Sequence, residues 1–122
     1  MILIDSNIII YLAKKEFKGL RNYLSSIPFK VSIISKIEVL GYSKLTSTES
    51  FYFEKFFENS NIIKIDDSIV NTTINLRKKY KLSLGDALIA STSFMYNLEL
   101  LTYNIKDFNN IEEINLIDIN NI

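Results

Sequence analysis

Residues 82–108, LSLGDALIASTSFMYNLELLTYNIKDF, predict a helix, a strand and a polar turn in direct succession. Ser83 is a favoured N-cap for the helix, and Leu98–Thr102 is typical of a buried strand. Polar side chains that can bind a ligand stand at the two junctions, and they are Asp86, Asn104 and Asp107. The segment therefore predicts a helix–strand unit with acidic groups at both polar ends.

The same alternation continues in both directions along the chain. Apolar runs predict strands at Ile2–Ile4, Lys30–Ile34, Asn61–Ile65, Leu98–Thr102 and Asn115–Ile119. Helical patterns between them include Ile8–Lys15, Leu20–Ser25, Thr48–Glu58 and a long helix capped by Asp66, Asp67 and Ser68. Alternating strands and helices predict an α/β fold, with a central, mostly parallel sheet of four to five strands and helices on both faces. We expect residues 1–122 to form a single domain.

Three helical patterns carry predictions about burial. In the long helix, Ile69, Thr73, Leu76 and Tyr80 share one face and are expected to be buried. In the helix opened by Ser83, one face comprises Leu84, Ala87, Leu88, Ser91, Phe94 and Met95. Of these, Leu84, Ala87 and Leu88 are expected in the core. The Phe-rich stretch from Phe51 to Phe57 is expected to pack in the core, with a surface for a partner as the alternative.

The composition limits the chemistry that is available. The chain has no His and no Cys, so a reaction must depend on carboxylates, hydroxyls, lysines or a metal that they hold. Fourteen basic residues balance fourteen acidic ones, which gives no argument for nonspecific nucleic-acid binding but does not exclude a nuclease. No apolar stretch approaches the roughly 20 residues that span a bilayer, and we expect a cytoplasmic protein without membrane contact.

Acidic residues follow the predicted strands at one edge of the sheet. Asp5, the 35–38 turn and the 103–107 turn all come after strands, and ligands of parallel sheets bind at that edge. Each acid also has an ordinary structural explanation: Asp5 suits a helix cap, and Ser35 with Glu38 fits a capping box. Asp86 lies among apolar residues, where an unpaired charge is costly. Together the carboxylates suit a hard cation such as Mg²⁺.

The chain resembles the PIN-domain ribonucleases, and most closely the VapC-type toxins of toxin–antitoxin pairs. The matching segments are ILIDSNIIIYL, SIISKIEVLGY, LSLGDALIASTSFMYNLELLTYNIKDF and the strand near INLIDI. The resemblance runs through most of the chain and is poor only across about 46–66. It implies a PIN-like fold and a metal-dependent endoribonuclease that hydrolyses RNA with carboxylate-held Mg²⁺ or Mn²⁺ and activated water.

The resemblance also implies which residues carry the reaction. Asp5, Glu38 and Asp86 match family acids that bind the metal, and Asp107 is our candidate for the fourth because Asn104 is uncharged. Ser6, Asn7 and Asn104 are expected to support the site. Lys36 and Lys106 are the candidate RNA contacts. The implied partners are an RNA substrate, with tRNA as one candidate, a cognate antitoxin and a second copy of the chain.

Three other functions remain open at this point. A PIN fold that has lost activity would serve as a binding module, and Asn104 gives that hypothesis some support. A receiver-type phosphoacceptor domain would need an acidic pair after the first strand, where this chain has Asp5-Ser6. A dehalogenase-like phosphatase would need Asp-x-Asp, where this chain has Asp5-Ser6-Asn7. The last two fit poorly.

Overall fold

A computed structural model describes residues 1–121 of the chain, so the predicted domain boundary at residue 122 lies outside the described residues. The strands are β1 (Ile2–Ile4), β2 (Phe29–Ser32), β3 (Ile62–Ile63), β4 (Glu99–Leu101) and β5 (Leu116–Ile117). The α-helices are α1 (Ser6–Leu12), α2 (Lys18–Ser25), α3 (Ile33–Leu40), α4 (Ser47–Glu58), α5 (Asp67–Lys79), α6 (Leu84–Met95) and α7 (Ile105–Phe108). Short 3₁₀ turns occupy Lys15–Phe17 and Ile119–Asn121.

The strands form one sheet in the order β3-β2-β1-β4-β5, and every pair is parallel. The predicted α/β fold and strand number are therefore confirmed, with a sheet that is wholly parallel. Strand β1 lies at the centre, between β2 and β4, and the chain crosses to opposite sides of it. Such a reversal of strand order opens a crevice at the carboxyl ends of the two central strands.

Two apolar cores cover the two faces of the sheet. Because side chains alternate along a strand, Ile2 and Ile4 pack on one face with α1, α2 and α4, while Leu3 packs on the other with α5 and α6. Leu3 and Ile4 are fully buried. The central strand is thus fixed from both sides, and so is the residue that follows it.

The start of α3 differs from the prediction. The strand ends at Ser32 instead of Ile34, and the Ser32 hydroxyl caps α3 by accepting the Ile34 N–H at 3.1 Å. Glu38 is therefore the sixth residue of the helix and belongs to no capping box. Thr46 and Glu49 form a capping box at the start of α4 instead. Ser32 and Ser35 offered equivalent caps, and strand pairing selected the earlier one.

Burial follows the predicted patterns only in part. Thr73 and Leu76 of α5 are buried, with Tyr80 half-buried at its end. In α6 the run from Ala87 to Ser93 is buried, but Leu84 is exposed, contrary to prediction, and so are Phe94 and Met95, because the apolar core packs against the middle of the helix. In α4, Phe53 and Phe57 pack in the core as expected, whereas Phe51 is 62% exposed.

No helix within residues 1–121 has the length and apolar character needed to cross a bilayer.

Candidate active site

Asp5 lies at the crevice between the two central strands. Ile4 of β1 is in register with Leu101 of β4, so the next residues, Asp5 and Thr102, come side by side. The Thr102 hydroxyl donates to Asp5 Oδ2 at 2.8 Å, and the Ser6 N–H donates to Asp5 Oδ1, also at 2.8 Å. Only 5% of Asp5 is exposed. Its carboxylate is thus held from two sides in a nearly closed position.

Asn7 connects the start of α1 to the end of β4. Its Oδ1 accepts the Tyr103 N–H at 3.1 Å, and its Nδ2 lies 3.3 Å from Thr102 Oγ1 and 3.4 Å from Asp5 Oδ2. The long Nδ2 distances indicate weak hydrogen bonds, whereas the backbone contact is well formed. Asn7 therefore mainly fixes the backbone next to Thr102, the residue that binds Asp5.

Ser6 joins Asp5 to Glu38. Its N–H binds Asp5, while its hydroxyl lies 2.7 Å from Glu38 Oε1 and 3.0 Å from the hydroxyl of Ser35. The Ser6 proton goes to the charged acceptor Glu38, which leaves the Ser35 hydroxyl to donate to Ser6 Oγ. Ser35 is fully buried in α3. A chain of two hydroxyls thus leads from the core to the Glu38 carboxylate.

The start of α6 lies against the same carboxylate. A Cβ atom on Gly85 would stand 2.8 Å from Glu38 Oε2, which is closer than a carbon atom tolerates. The next residue, Asp86, is half-buried, and the Ser83 hydroxyl accepts its backbone N–H at 3.2 Å. The absence of a side chain at Gly85 therefore allows Glu38 to approach α6.

Asp86 and Asp107 line one cleft of about 390 Å³, which we call the Asp86–Asp107 cleft. Asp86 enters it from the first turn of α6, and Asp107 enters it from α7, which follows β4. Burial raises the pKa of Asp86, and the negative charges of Asp107 and Glu38 raise it further, against the opposing Ser83 hydroxyl. Asp107 is therefore close enough to Asp86 for the two charges to interact.

The pKa of Asp5 is also raised. Burial raises the pKa of Asp5 to about 6, and the charges of Asp86 and Glu38 add to the rise. Hydrogen bonds from Thr102 and Ser6 act in the opposite direction. The ion pairs within residues 1–121 are Lys55–Glu58 and Lys79–Glu113, so no lysine or arginine of that range neutralises the four acids.

These side chains fit a divalent cation by their chemistry. Carboxylate oxygens are preferred ligands of Mg²⁺ and Mn²⁺. A buried carboxylate that has no positively charged partner is stabilised when such a cation binds. In the described part of the chain, however, no three acids are close enough to form a ready metal cluster. Glu38 is turned toward Ser6, and like charges favour this separation. A cation would have to draw the acids together.

The remaining predicted site residues lie at different distances from this centre. The backbone N–H of Asn104 donates to Thr102 Oγ1 at 3.0 Å, and Asn104 itself is exposed. Lys106 lines the Asp86–Asp107 cleft. Lys36 is exposed on α3, two residues before Glu38, so the two side chains point about 200° apart around the helix. The structure brings Lys106 to the acids and leaves Lys36 on the opposite side.

Sequence reasoning missed three residues that act on the acids, two by direct contact and Ser35 through Ser6. Thr102 could have been found, because it follows β4 as Asp5 follows β1, and adjacent parallel strands bring such residues together. Ser35 was assigned to a helix cap and is instead a buried donor within α3. Gly85 gave no sequence signal, since its contact with Glu38 depends on how α3 and α6 pack.

The fold and this edge of acids define a PIN domain. The family model described as PIN domain matches residues 2–114, and the chain belongs to this family. The resemblance to VapC-type PIN domains noted in the sequence is thereby confirmed, and solved toxin–antitoxin complexes contain similar chains. A comparison with curated protein sequences finds no match.

Three solved structures illustrate the similarity. A chain of a toxin–antitoxin complex from Klebsiella pneumoniae is 32% identical, with a TM-score of 0.79 over 93% of this chain and 95% of that one. A chain of VapBC2 from Rickettsia felis, bound to a DNA fragment from its promoter, is 25% identical, with a TM-score of 0.83 over 96% and 98%. A chain of DNA-bound VapBC from Salmonella typhimurium, 21% identical with a TM-score of 0.84 over 97% and 98%, shares the fold.

Proposed function

We propose that this chain is a metal-dependent endoribonuclease that acts as the toxin of a toxin–antitoxin pair. One observation carries the proposal: Asp5 is buried with a raised pKa beside the charges of Glu38 and Asp86, and no lysine or arginine of residues 1–121 pairs with it. Retaining such a set of acids destabilises the fold unless a ligand compensates. A divalent cation is the ligand that suits it.

Asp5, Glu38, Asp86 and Asp107 would hold Mg²⁺ or Mn²⁺. When bound, the cation lowers the pKa of a coordinated water and neutralises charge that develops on the phosphate. The protein supplies the orientation of the ligands. Thr102 and the Ser6 N–H fix both oxygens of Asp5, and the Ser6 hydroxyl holds Glu38 within reach of α6. Asn7 and Asn104 hold the backbone around Thr102.

The proposed substrate is RNA, with tRNA as one candidate. Because four acids repel a phosphodiester, binding requires positive charge from the cation and from nearby lysines. Lys106 is the better placed of the two lysine candidates, since it lines the cleft that contains Asp86 and Asp107. Lys36 would contact RNA only if the RNA strand continued around α3 to its other side.

The proposed protein partners are a cognate antitoxin and a second copy of the chain. The antitoxin is supported by the similar chain of the Klebsiella pneumoniae toxin–antitoxin complex and by the VapBC2 structure. Exposed apolar side chains on α4, α5 and α6 provide surfaces that such partners would cover, among them Phe51, Ile74 and Phe94.

The test compares wild-type protein with Asp5→Asn on a mixed RNA pool that includes tRNA. Each is assayed with Mg²⁺, with Mn²⁺ and with EDTA, after circular dichroism confirms that both are folded. We expect cleavage by the wild type with either metal, none with EDTA, and a loss of about 10²-fold or more in Asp5→Asn. Folded wild-type protein that cleaves nothing under any of these conditions would favour the inactive binding module instead.

A further inference from the structure

The Asp86–Asp107 cleft contains more than its acids. Asp86 and Asp107 line its acidic end. Its other walls come from residues 80–83, before α6, and residues 110–111, after α7. Apart from the acids, the lining of the cleft includes two lysines, an amide and two apolar side chains. A volume of about 390 Å³ is in the range of sites for small organic ligands. The cleft is thus larger than a cation requires.

We propose that this cleft binds one unstacked nucleotide of single-stranded RNA next to the phosphodiester that is cut. The inference rests on the proposed ribonuclease function and adds a recognition site to it. A duplex cannot enter a cleft of this size, whereas the splayed bases of loops and single strands can.

The walls of the cleft match the parts of a nucleotide. Leu82 and the buried Ile111 provide an apolar surface for the base. Asn110 is exposed and forms no side-chain hydrogen bond within the described chain, so its amide is available as donor and acceptor for a base edge. Lys81 and Lys106 are exposed and form no ion pair within residues 1–121, so both are available to phosphates.

The two walls are joined before any ligand arrives. Tyr80 Oη donates to Glu113 Oε1 at 2.7 Å and accepts the Glu112 N–H at 3.2 Å. Lys79 Nζ lies 3.2 Å from the other oxygen of Glu113. These contacts tie the segment after α7 to the end of α5. A nucleotide therefore meets a preformed cleft, which reduces the entropy lost on binding.

The test measures RNA binding and cleavage separately. Binding of a labelled five-nucleotide single-stranded RNA is followed by fluorescence anisotropy, with Mg²⁺, in an Asp5→Asn background that does not cut. Lys81→Ala and Asn110→Ala are compared with the matched controls Lys78→Ala and Asn109→Ala, which are exposed neighbours outside the cleft. We expect each cleft variant to weaken binding about tenfold, and the controls to leave it unchanged.

Two further readouts distinguish the roles of the lysine and the amide. Lys81→Ala should reduce the slope of log Kd against log salt by about 0.7, the value for one phosphate contact on a single strand. Asn110→Ala should leave that slope unchanged, and in otherwise wild-type protein it should change which base flanks the cleavage sites in the RNA pool. An RNA duplex of the same sequence should bind about tenfold more weakly than the single strand.

The outcomes separate this inference from the proposed function. If the cleft variants bind RNA as tightly as their controls, or if no variant binds it, the nucleotide site is wrong, whether or not the wild type cleaves. If RNA binds through Lys81 and Asn110 but the wild type cuts nothing, the nucleotide site stands and the ribonuclease proposal is wrong.

Discussion

At the scale of single residues, Ser6 organises the acids through two separate donors. Its backbone N–H binds Asp5, and its hydroxyl binds Glu38, so one residue determines the relative position of two carboxylates on different elements. Ser35 extends this arrangement into the core, since its buried hydroxyl has Ser6 Oγ as its neighbour at 3.0 Å. Ser35 therefore acts on Glu38 only through Ser6 and is a positioning residue.

A double-mutant cycle tests this dependence. Ser35→Ala should lower the rate of RNA cleavage about two- to tenfold, because one hydrogen bond that orients Ser6 is lost. In a Ser6→Ala background the same change should have no further effect, since the Ser6 hydroxyl that connects Ser35 to Glu38 is already absent. The measurement is the cleavage rate of the four proteins at fixed Mg²⁺, with thermal stability recorded for each. Effects that simply add would show that Ser35 acts independently of Ser6.

At the scale of elements, the site depends on the close approach of α3 and the start of α6. Gly85 is the second residue of α6, and its missing side chain leaves room for Glu38 Oε2. Gly19 is likewise the second residue of its helix, α2, and a Cβ there would meet no atom within 4 Å. The chain thus provides a pair of helical glycines that differ only in their surroundings.

Gly85→Ala should separate stability from activity. Alanine favours helix by up to about 1 kcal/mol, and the obstructing atom belongs to the end of a flexible side chain, so the fold should persist. The Glu38 carboxylate, however, must leave its place, and we expect cleavage to fall about tenfold, as for the loss of one oriented carboxylate contact. Cleavage rates and melting temperatures are compared with those of Gly19→Ala, which should be slightly more stable and fully active. Equal activity of the two variants would contradict a role for Gly85.

The elements also show where sequence reasoning succeeds and where it stops. Strand β1 and the N-caps Asp66 and Ser83 were predicted correctly, because apolar runs and capping side chains are local signals. The start of α3 was misplaced, because Ser32 and Ser35 are both good caps and only the pairing of β2 decides between them. The contacts of Thr102 and Gly85 with the acids depend on sheet register and helix packing, which are not encoded locally.

At the scale of the whole molecule, the buried acid couples the site to stability. The folded state binds the Asp5 proton more tightly than the unfolded chain, since its pKa rises from 3.8 to about 6. Between these values the folded state holds more protons, so the free energy of unfolding falls as pH rises. Above pH 6 the charged Asp5 destabilises the metal-free fold by about 3 kcal/mol relative to a neutral residue, at 1.36 kcal/mol per pKa unit.

The difference between wild type and Asp5→Asn isolates this effect. The lowered pKa values of Glu49 and Glu113 make the free energy of unfolding rise with pH, and the raised pKa of Asp86 makes it fall, as that of Asp5 does. All three residues are present in both proteins, so their contributions cancel in the difference. With EDTA present, urea unfolding from pH 4 to pH 7.5 should show Asp5→Asn gaining about 2.4 kcal/mol on the wild type as pH rises, since part of the effect is already present at pH 4. Any constant cost of the Asn amide facing the Ser6 or Thr102 donors shifts the difference curve without changing its slope. A difference curve that stays flat across this range would mean that Asp5 is not desolvated as its position between β1 and β4 requires.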